Sequence, residues 1–195
     1  ACGKTALATA LAARMPAAEI ISADSRQVFR GMDIGTGKDL KDYRVGEKEI
    51  PYHLIDIAEA GQKYSVYEFQ RDFLDAYQAI GSRGATPILC GGTGLYIESV
   101  LRSYRLVSVP ENPELRRQLE TKSMDELTEI LASFKKLHNT TDTDTPRRAI
   151  RAIEIEAYYK EHQIDQTAPF PNLRSLTIGL HIDRDLRRQR ISHRL

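Results

Sequence analysis

A chain of 195 residues with 41% hydrophobic and 28% charged residues can bury a core in one domain, or in one domain carrying an insertion, which excludes a disordered composition. Lys and Arg total 28 against 27 Asp and Glu, so no strong overall field selects a nucleic acid or a membrane surface. No apolar run reaches the roughly 18 residues of a membrane span, and no signal-peptide pattern opens the chain. Two cysteines, Cys2 and Cys90, far apart and without metal-ligand spacing, predict a reducing, cytoplasmic setting.

In chain order, Gly3-Lys4-Thr5 followed by "ALATALAARM" reads as the second half of a phosphate-binding loop, G-x-x-x-x-G-K-[ST], running into a helix that Pro16 stops. The first glycine of that pattern and the strand before it are not in the sequence. In such a loop backbone N–H groups and a helix N-terminus face the anion, Lys4 adds a positive charge, and the Thr5 hydroxyl sits on Mg²⁺. A nucleotide such as ATP is the default ligand; an ordinary helix start is the plain alternative. "AEIISADS" (18–25) reads as a buried strand ending in polar residues. Asp24 therefore falls at a strand's carboxyl end, where open parallel sheets hold their ligands, although a turn cap is a common duty for Asp there.

Residues 31–63 are rich in glycine and charge, with one short strand candidate at "YHLIDI" (52–57). Ser65 and Glu68 form a capping box. Val66, Phe69, Phe73, Tyr77 and Ile80 lie on one face of the helix that follows, which Gly81 and Gly84 end. "ATPILCGGTGLYIESVL" (85–101) reads strand, glycine turn, helix, with Thr93 projecting into the same crevice as Asp24. Alternation of this kind predicts an α/β fold, a parallel sheet flanked by helices.

From about residue 108 the pattern turns helical. Asn112-Pro113, Ser123 with Glu126, and Thr145-Pro146 each open a helix, the last running to about His162. On that helix Arg147 and Arg151 share a face while Arg148 is rotated away. The reading is either a phosphate-contacting arm or a solvated surface with ordinary charge pairs. "SLTIGLHID" (175–183) is expected to return to the sheet as a strand. An arginine-rich helix then runs to Leu195, with Arg184 reaching the crevice and Arg187, Arg188, Arg190 and Arg194 at the periphery. Residues 146–195 carry ten Lys/Arg against six Asp/Glu, a local excess suited to an anionic partner.

Together GKTALA (3–8), ISADSRQVFRGMDIGTGK (21–38), HLIDI (53–57), YSVYEF (64–69), PILCGGTGLYI (87–97), NPELR (112–116), PRRAIRAIE (146–154) and IGLHIDRDLRRQRISHRL (178–195) closely resemble the tRNA dimethylallyltransferases (tRNA isopentenyltransferases). The resemblance implies a P-loop NTPase-like core over 1–107 and 172–195 and a helical, tRNA-contacting insertion over 108–171. It implies transfer of a dimethylallyl group from dimethylallyl diphosphate, with Mg²⁺, to the exocyclic amine of the adenosine on the 3′ side of the anticodon. By resemblance Asp24 is the base, Thr93 orients the base or the diphosphate, and Gly3, Lys4, Thr5 and Arg184 oppose the diphosphate charge. Asp24, Ser25, Arg26, Gln27, Thr93, Arg116, Arg147, Arg148 and Arg151 carry over as contacts to the anticodon arm of tRNA.

No membrane partner and a monomer are expected. Members of the family have a strand before this point and continue past residue 195, so a portion of a longer enzyme is expected. "GTGKD" stands where G-T-A-K-P is usual, and "KKLHNTTDTDTPRR" (135–148) departs from the family wording. Prenylation of free AMP and a P-loop small-molecule kinase are the alternatives. Against the kinase, "YHLIDI" places only two hydrophobic residues before Asp56, and "TPILCGG" ends without a carboxylate.

Overall fold

Local sequence signals open most helices in the computed structural model, which describes residues 2–137, 141–163 and 170–194. Helix α1 spans Lys4–Arg14 with Gly3 as its N-cap, and β1 spans Ala18–Ala23. A 3-10 turn at Leu40–Tyr43 leads into a two-residue hairpin, β2 (Arg44–Val45) and β3 (Lys48–Glu49), and then β4 (Tyr52–His53). Helix α2 covers Val66–Ser82 behind the complete Ser65/Glu68 capping box, passing Gly81 before it ends. Strand β5 (Thr86–Gly91) and helix α3 (Gly94–Leu101) follow.

The sheet is parallel, in the order β4-β1-β5. Every residue of β1 is buried, as a strand covered on both faces must be. Its even and odd positions serve different layers. Ala18 and Ile20 pack with Ala8 and Ala12 of α1 and with Tyr43, Ile50 and Ile55. Ile21 and Ala23 pack with Phe69, Phe73, Ala76 and Ile80 of α2 and with Tyr96 and Val100 of α3. Phe69 stacks on Tyr96 with ring centroids 4.1 Å apart. Each large apolar side chain so buried contributes about 1.5–3 kcal/mol. The P-loop NTPase-like α/β core expected from the sequence is the observed one.

Two strand expectations change. The 52–57 candidate forms a ladder only at Tyr52–His53, because Leu54 (φ 63) and Asp56 (φ 56) turn into the left-handed region and end the extended run. Residues 175–183 do not join the sheet. Leu176, Ile178 and Leu180, which alternate as a strand would, are exposed. Alternation supplies a face, but a strand also needs a backbone partner.

The chain divides into two compact units, residues 1–106 with 170–195, and 107–169. The second holds α4 (Pro113–Leu119), α5 (Met124–Phe134) and α6 (Pro146–His162). Asn112 caps α4, Ser123 and Glu126 box α5, and the Thr145 hydroxyl accepts the Arg148 N–H of α6. Leu119, Leu127, Leu131, Ala149, Ile150, Ala152 and Ile153 form its core. Helix α7 (Arg184–Arg194) returns to the first unit. Residues 138–140, within the divergent 135–148 segment, and Leu195, the expected end of the last helix, lie outside the described residues.

Candidate active site

Three chain segments meet at the carboxyl ends of β1 and β5. Gly3, at φ 83, adopts a left-handed cap that glycine tolerates without strain, and its carbonyl accepts the Leu7 N–H at 3.0 Å. Lys4 is exposed, and its ammonium lies 3.4 Å from where a Cβ on Gly92 would stand. The lysine of the predicted phosphate loop and the β5 glycine turn are therefore neighbours. Lys4 Nζ also donates to Cys2 Sγ at 3.4 Å. Desolvation pushes the Cys2 thiol up, but the hydrogen bond and charge of Lys4 outweigh it and hold it below the ordinary value. Burial drives the Cys90 thiol the other way.

The ends of β1 and β5 are stitched by backbone. The Ala23 carbonyl accepts the N–H groups of Gly92 (3.2 Å) and Thr93 (3.1 Å). A Cβ on Gly91 would stand 2.2 Å from the Ala23 oxygen, so only glycine allows this approach. One residue on, Thr93 Oγ1 accepts the Ser25 N–H at 2.9 Å and donates to Ser25 Oγ at 3.2 Å. The Asp24 carboxylate stands beside this clasp. Its Oδ1 accepts the Arg26 N–H at 3.0 Å, and its carbonyl accepts the Gln27 N–H at 3.2 Å. Asp24 thus has the turn-capping duty considered for it as well as its place at the strand end.

Several predicted residues are engaged elsewhere. Gln27 is held between Ser22 Oγ (3.0 Å) and the Gly37 carbonyl (3.0 Å), which anchors the glycine-rich segment after β1. Lys38, the lysine of "GTGKD", is buried with its ammonium on the Phe29 carbonyl, Asp33 and Asp56. Burial pushes its pKa down, but the two carboxylates win and hold it above the ordinary lysine value. Arg26 is exposed. Arg184 is exposed at the first position of α7. Arg190, assigned to the periphery, is the α7 arginine at the phosphate loop: its Nη1 lies 4.0 Å from where a Cβ on Gly3 would be.

In the second unit the arginines separate into two groups. Arg116 donates Nε and Nη2 to Glu154 at 3.0 and 2.9 Å and pairs with Glu111 through Nη1 at 2.8 Å. Arg151 also pairs with Glu154 and donates to the Val109 carbonyl at 2.8 Å. Glu154 is 2% exposed. Its burial pushes the carboxyl pKa up, but Arg116, the Asn112 N–H and Arg151 together hold it below the ordinary value. Arg148 pairs with Asp144 at 2.8 Å, whereas Arg147 is exposed. Helical periodicity gives no hint of Glu154, because the arginine it grips most fully lies 38 residues away.

Among the described residues no group of three or more His, Cys, Asp and Glu side chains is gathered to hold a metal. Thr5 stands beside Lys4 on the first turn of α1. Among the described residues no helix is long and apolar enough to cross a membrane.

The chain is 62% identical over its whole length to tRNA dimethylallyltransferase 2 of Bacteroides fragilis and 61% identical to tRNA dimethylallyltransferase 1 of Parabacteroides distasonis. It spans 63% of the length of each, less than two thirds. A crystal structure of a eukaryotic dimethylallyltransferase acting on tRNA superposes with a TM-score of 0.54 at 21% identity, over 85% of this chain and 42% of that one, a likeness of fold. The sequence profile of the IPP transferase family matches residues 27–195, which include the Asp56 partner of Lys38, Thr93 and Glu154, and the chain belongs to that family.

Proposed function

We propose that the protein is a prenyltransferase that moves a dimethylallyl group from dimethylallyl diphosphate to the exocyclic amine of the adenosine 3′ to the anticodon in tRNA, releasing diphosphate. The observation that carries this reading is the convergence of Lys4, Gly92, Thr93 and Asp24 at one end of the sheet. An aromatic amine is a poor nucleophile, since its lone pair is delocalised into the purine, so the leaving group must be stabilised. Lys4 and the α1 N-terminus oppose the charge that grows on the diphosphate as its oxygen leaves the allylic carbon. Bound Mg²⁺, held through Thr5, would add positive charge to the same oxygens.

As the amine nitrogen bonds to that carbon, its proton passes to Asp24. With Oδ1 on the Arg26 N–H, Oδ2 is the oxygen we assign to the transfer. The Thr93–Ser25 clasp keeps the Asp24 turn in place while this happens. The base must leave its loop stack to reach the site, which in a single-stranded loop costs at most a few kcal/mol. Ser25, Arg26 and the exposed Arg147 are the RNA contacts this reading keeps. Arg116 and Arg151 are assigned to the scaffold of the helical unit, and the cytoplasm is the compartment where such a substrate is met.

The test offers the intact protein labelled dimethylallyl diphosphate with tRNA, with AMP, and with ATP as control. Label should enter tRNA. Asp24→Asn should slow transfer by about 100- to 10,000-fold while tRNA affinity stays near wild type. Label in AMP alone would move the acceptor assignment, and wild-type turnover in Asp24→Asn would remove Asp24 from the mechanism.

A further inference from the structure

Helix α7 carries Arg184, Arg187, Arg188, Arg190 and Arg194, and periodicity alone cannot rank them. The structure ranks one of them. Leu186, Gln189, Arg190 and His193, spaced as one helical face requires, line a cleft of about 780 Å³ opposite Asp39 and Lys41. This face also brings Arg190 Nη1 to 4.0 Å from the Cβ position that Gly3 leaves empty. Arg184 stands six residues earlier, which on an α-helix is about 9 Å along the axis and about 120° around it. The two arginines cannot point to the same place.

We infer that Arg190 is a diphosphate-binding residue, forming with Lys4 a two-cation clamp across the phosphate loop. The inference rests on the proposed prenyl-transfer reading. Lys4 approaches from the β5 side, where it faces Gly92, and Arg190 from the α7 side, where it faces Gly3. Each cation stands against a glycine, 3.4 Å (Lys4) and 4.0 Å (Arg190) from the position a Cβ would take. A guanidinium beside a loop of backbone N–H groups offers a planar fork of donors to phosphate oxygens. Lys41 and the carboxylate of Asp39 line the same cleft across from it. A diphosphate leaving in this direction would part from the amine held near Asp24 and keep its charge opposed at both ends.

Phosphate oxygens come from the donor or from tRNA, and the inference commits to the donor. The intact protein is titrated calorimetrically with inorganic diphosphate and separately with tRNA, as wild type, Arg190→Ala, Arg190→Lys, Arg188→Ala and Lys4→Ala. Arg188 is the charge-matched control, since it pairs with Asp185 on its own helix. Arg190→Ala should weaken diphosphate binding about 10- to 100-fold and raise the donor KM in step. Arg190→Lys should recover part of the loss, with tRNA affinity and the melting temperature unchanged.

Loss in Lys4→Ala with none in Arg190→Ala overturns the inference and leaves the proposed function standing. An equal loss in Arg188→Ala reduces the effect to net charge and also overturns it. Weakened tRNA binding with unchanged diphosphate binding overturns it in favour of an RNA contact. If diphosphate does not bind the wild type, the phosphate-loop reading itself fails and the inference falls with it.

Discussion

Removing the Glu154 carboxylate tests whether Arg116 and Arg151 serve the helical unit. In wild type this side chain, 1% exposed, accepts from both arginines and from the Asn112 N–H. Glu154→Gln keeps the shape but turns an NH₂ toward guanidinium donors, so at least one hydrogen bond becomes a donor–donor contact. Breaking one side of a buried ion pair costs about 3–5 kcal/mol. The arginine side chains are 29% and 37% exposed, and Arg116 keeps Glu111, so water can recover part of the loss and the low end, about 3 kcal/mol, applies. Read by hydrogen exchange, that is an acceleration of roughly 100-fold at the protected amides of α5 and α6, with α2 as an internal reference. Acceleration below about threefold would refute the assignment and return both arginines to solvent-facing duty. The pH dependence has a fixed sign. The folded carboxyl is held below its unfolded value, so its contribution is present above the ordinary Glu pKa of about 4.3 and is lost as pH falls through the lower folded value.

Gly91→Ala should cost about 3 kcal/mol in urea unfolding, because its Cβ meets the Ala23 backbone at 2.2 Å; wild-type stability would mean the β1–β5 junction yields. Glu19→Gln should flatten the acid limb of stability in a pH series, since its Arg83 hydrogen bonds, against its burial and with help from His53, hold Glu19 below the ordinary carboxyl range. That contribution is lost as pH falls through the folded value, and an unchanged acid limb would refute the assignment. Arg147→Ala should lower tRNA affinity and reduce the slope of log K against log salt by about one; an unchanged slope would return Arg147 to the solvated surface.

Helix starts were legible because capping is local. Ser65 with Glu68, Asn112, Ser123 with Glu126, and Thr145 all cap the helices that their spacing predicts. The β1 run was legible for a related reason: continuous burial needs a mostly apolar run, and "EIISA" supplies it apart from Glu19, whose carboxylate is paired, and Ser22, whose hydroxyl donates to Gln27. What stayed hidden depends on distant partners. Residues 175–183 alternate correctly and find no ladder. Lys38 looks like a loop cation until Asp33 and Asp56 enclose it. Gln27, adjacent to the Asp24 turn, spends its amide on Ser22 and Gly37. Arg190 could not be separated from its four neighbours on α7 before the helix had a fixed orientation. At the site, Lys4 was named from the loop motif, and Asp24 and Thr93 from strand ends; their mutual contacts were not legible, since Ser25 and Gly92 make them.

The double use of the Ala23 carbonyl has a mechanical result. The acid and the threonine hydroxyl are welded to one peptide junction, so neither can drift without the other, whereas Lys4 meets that junction through a flexible four-carbon stem. One side of the candidate site is thus fixed by main chain and the other is adjustable by side chain. In the proposed reaction, Lys4 could follow a shift of the diphosphate while the Asp24 turn kept its place.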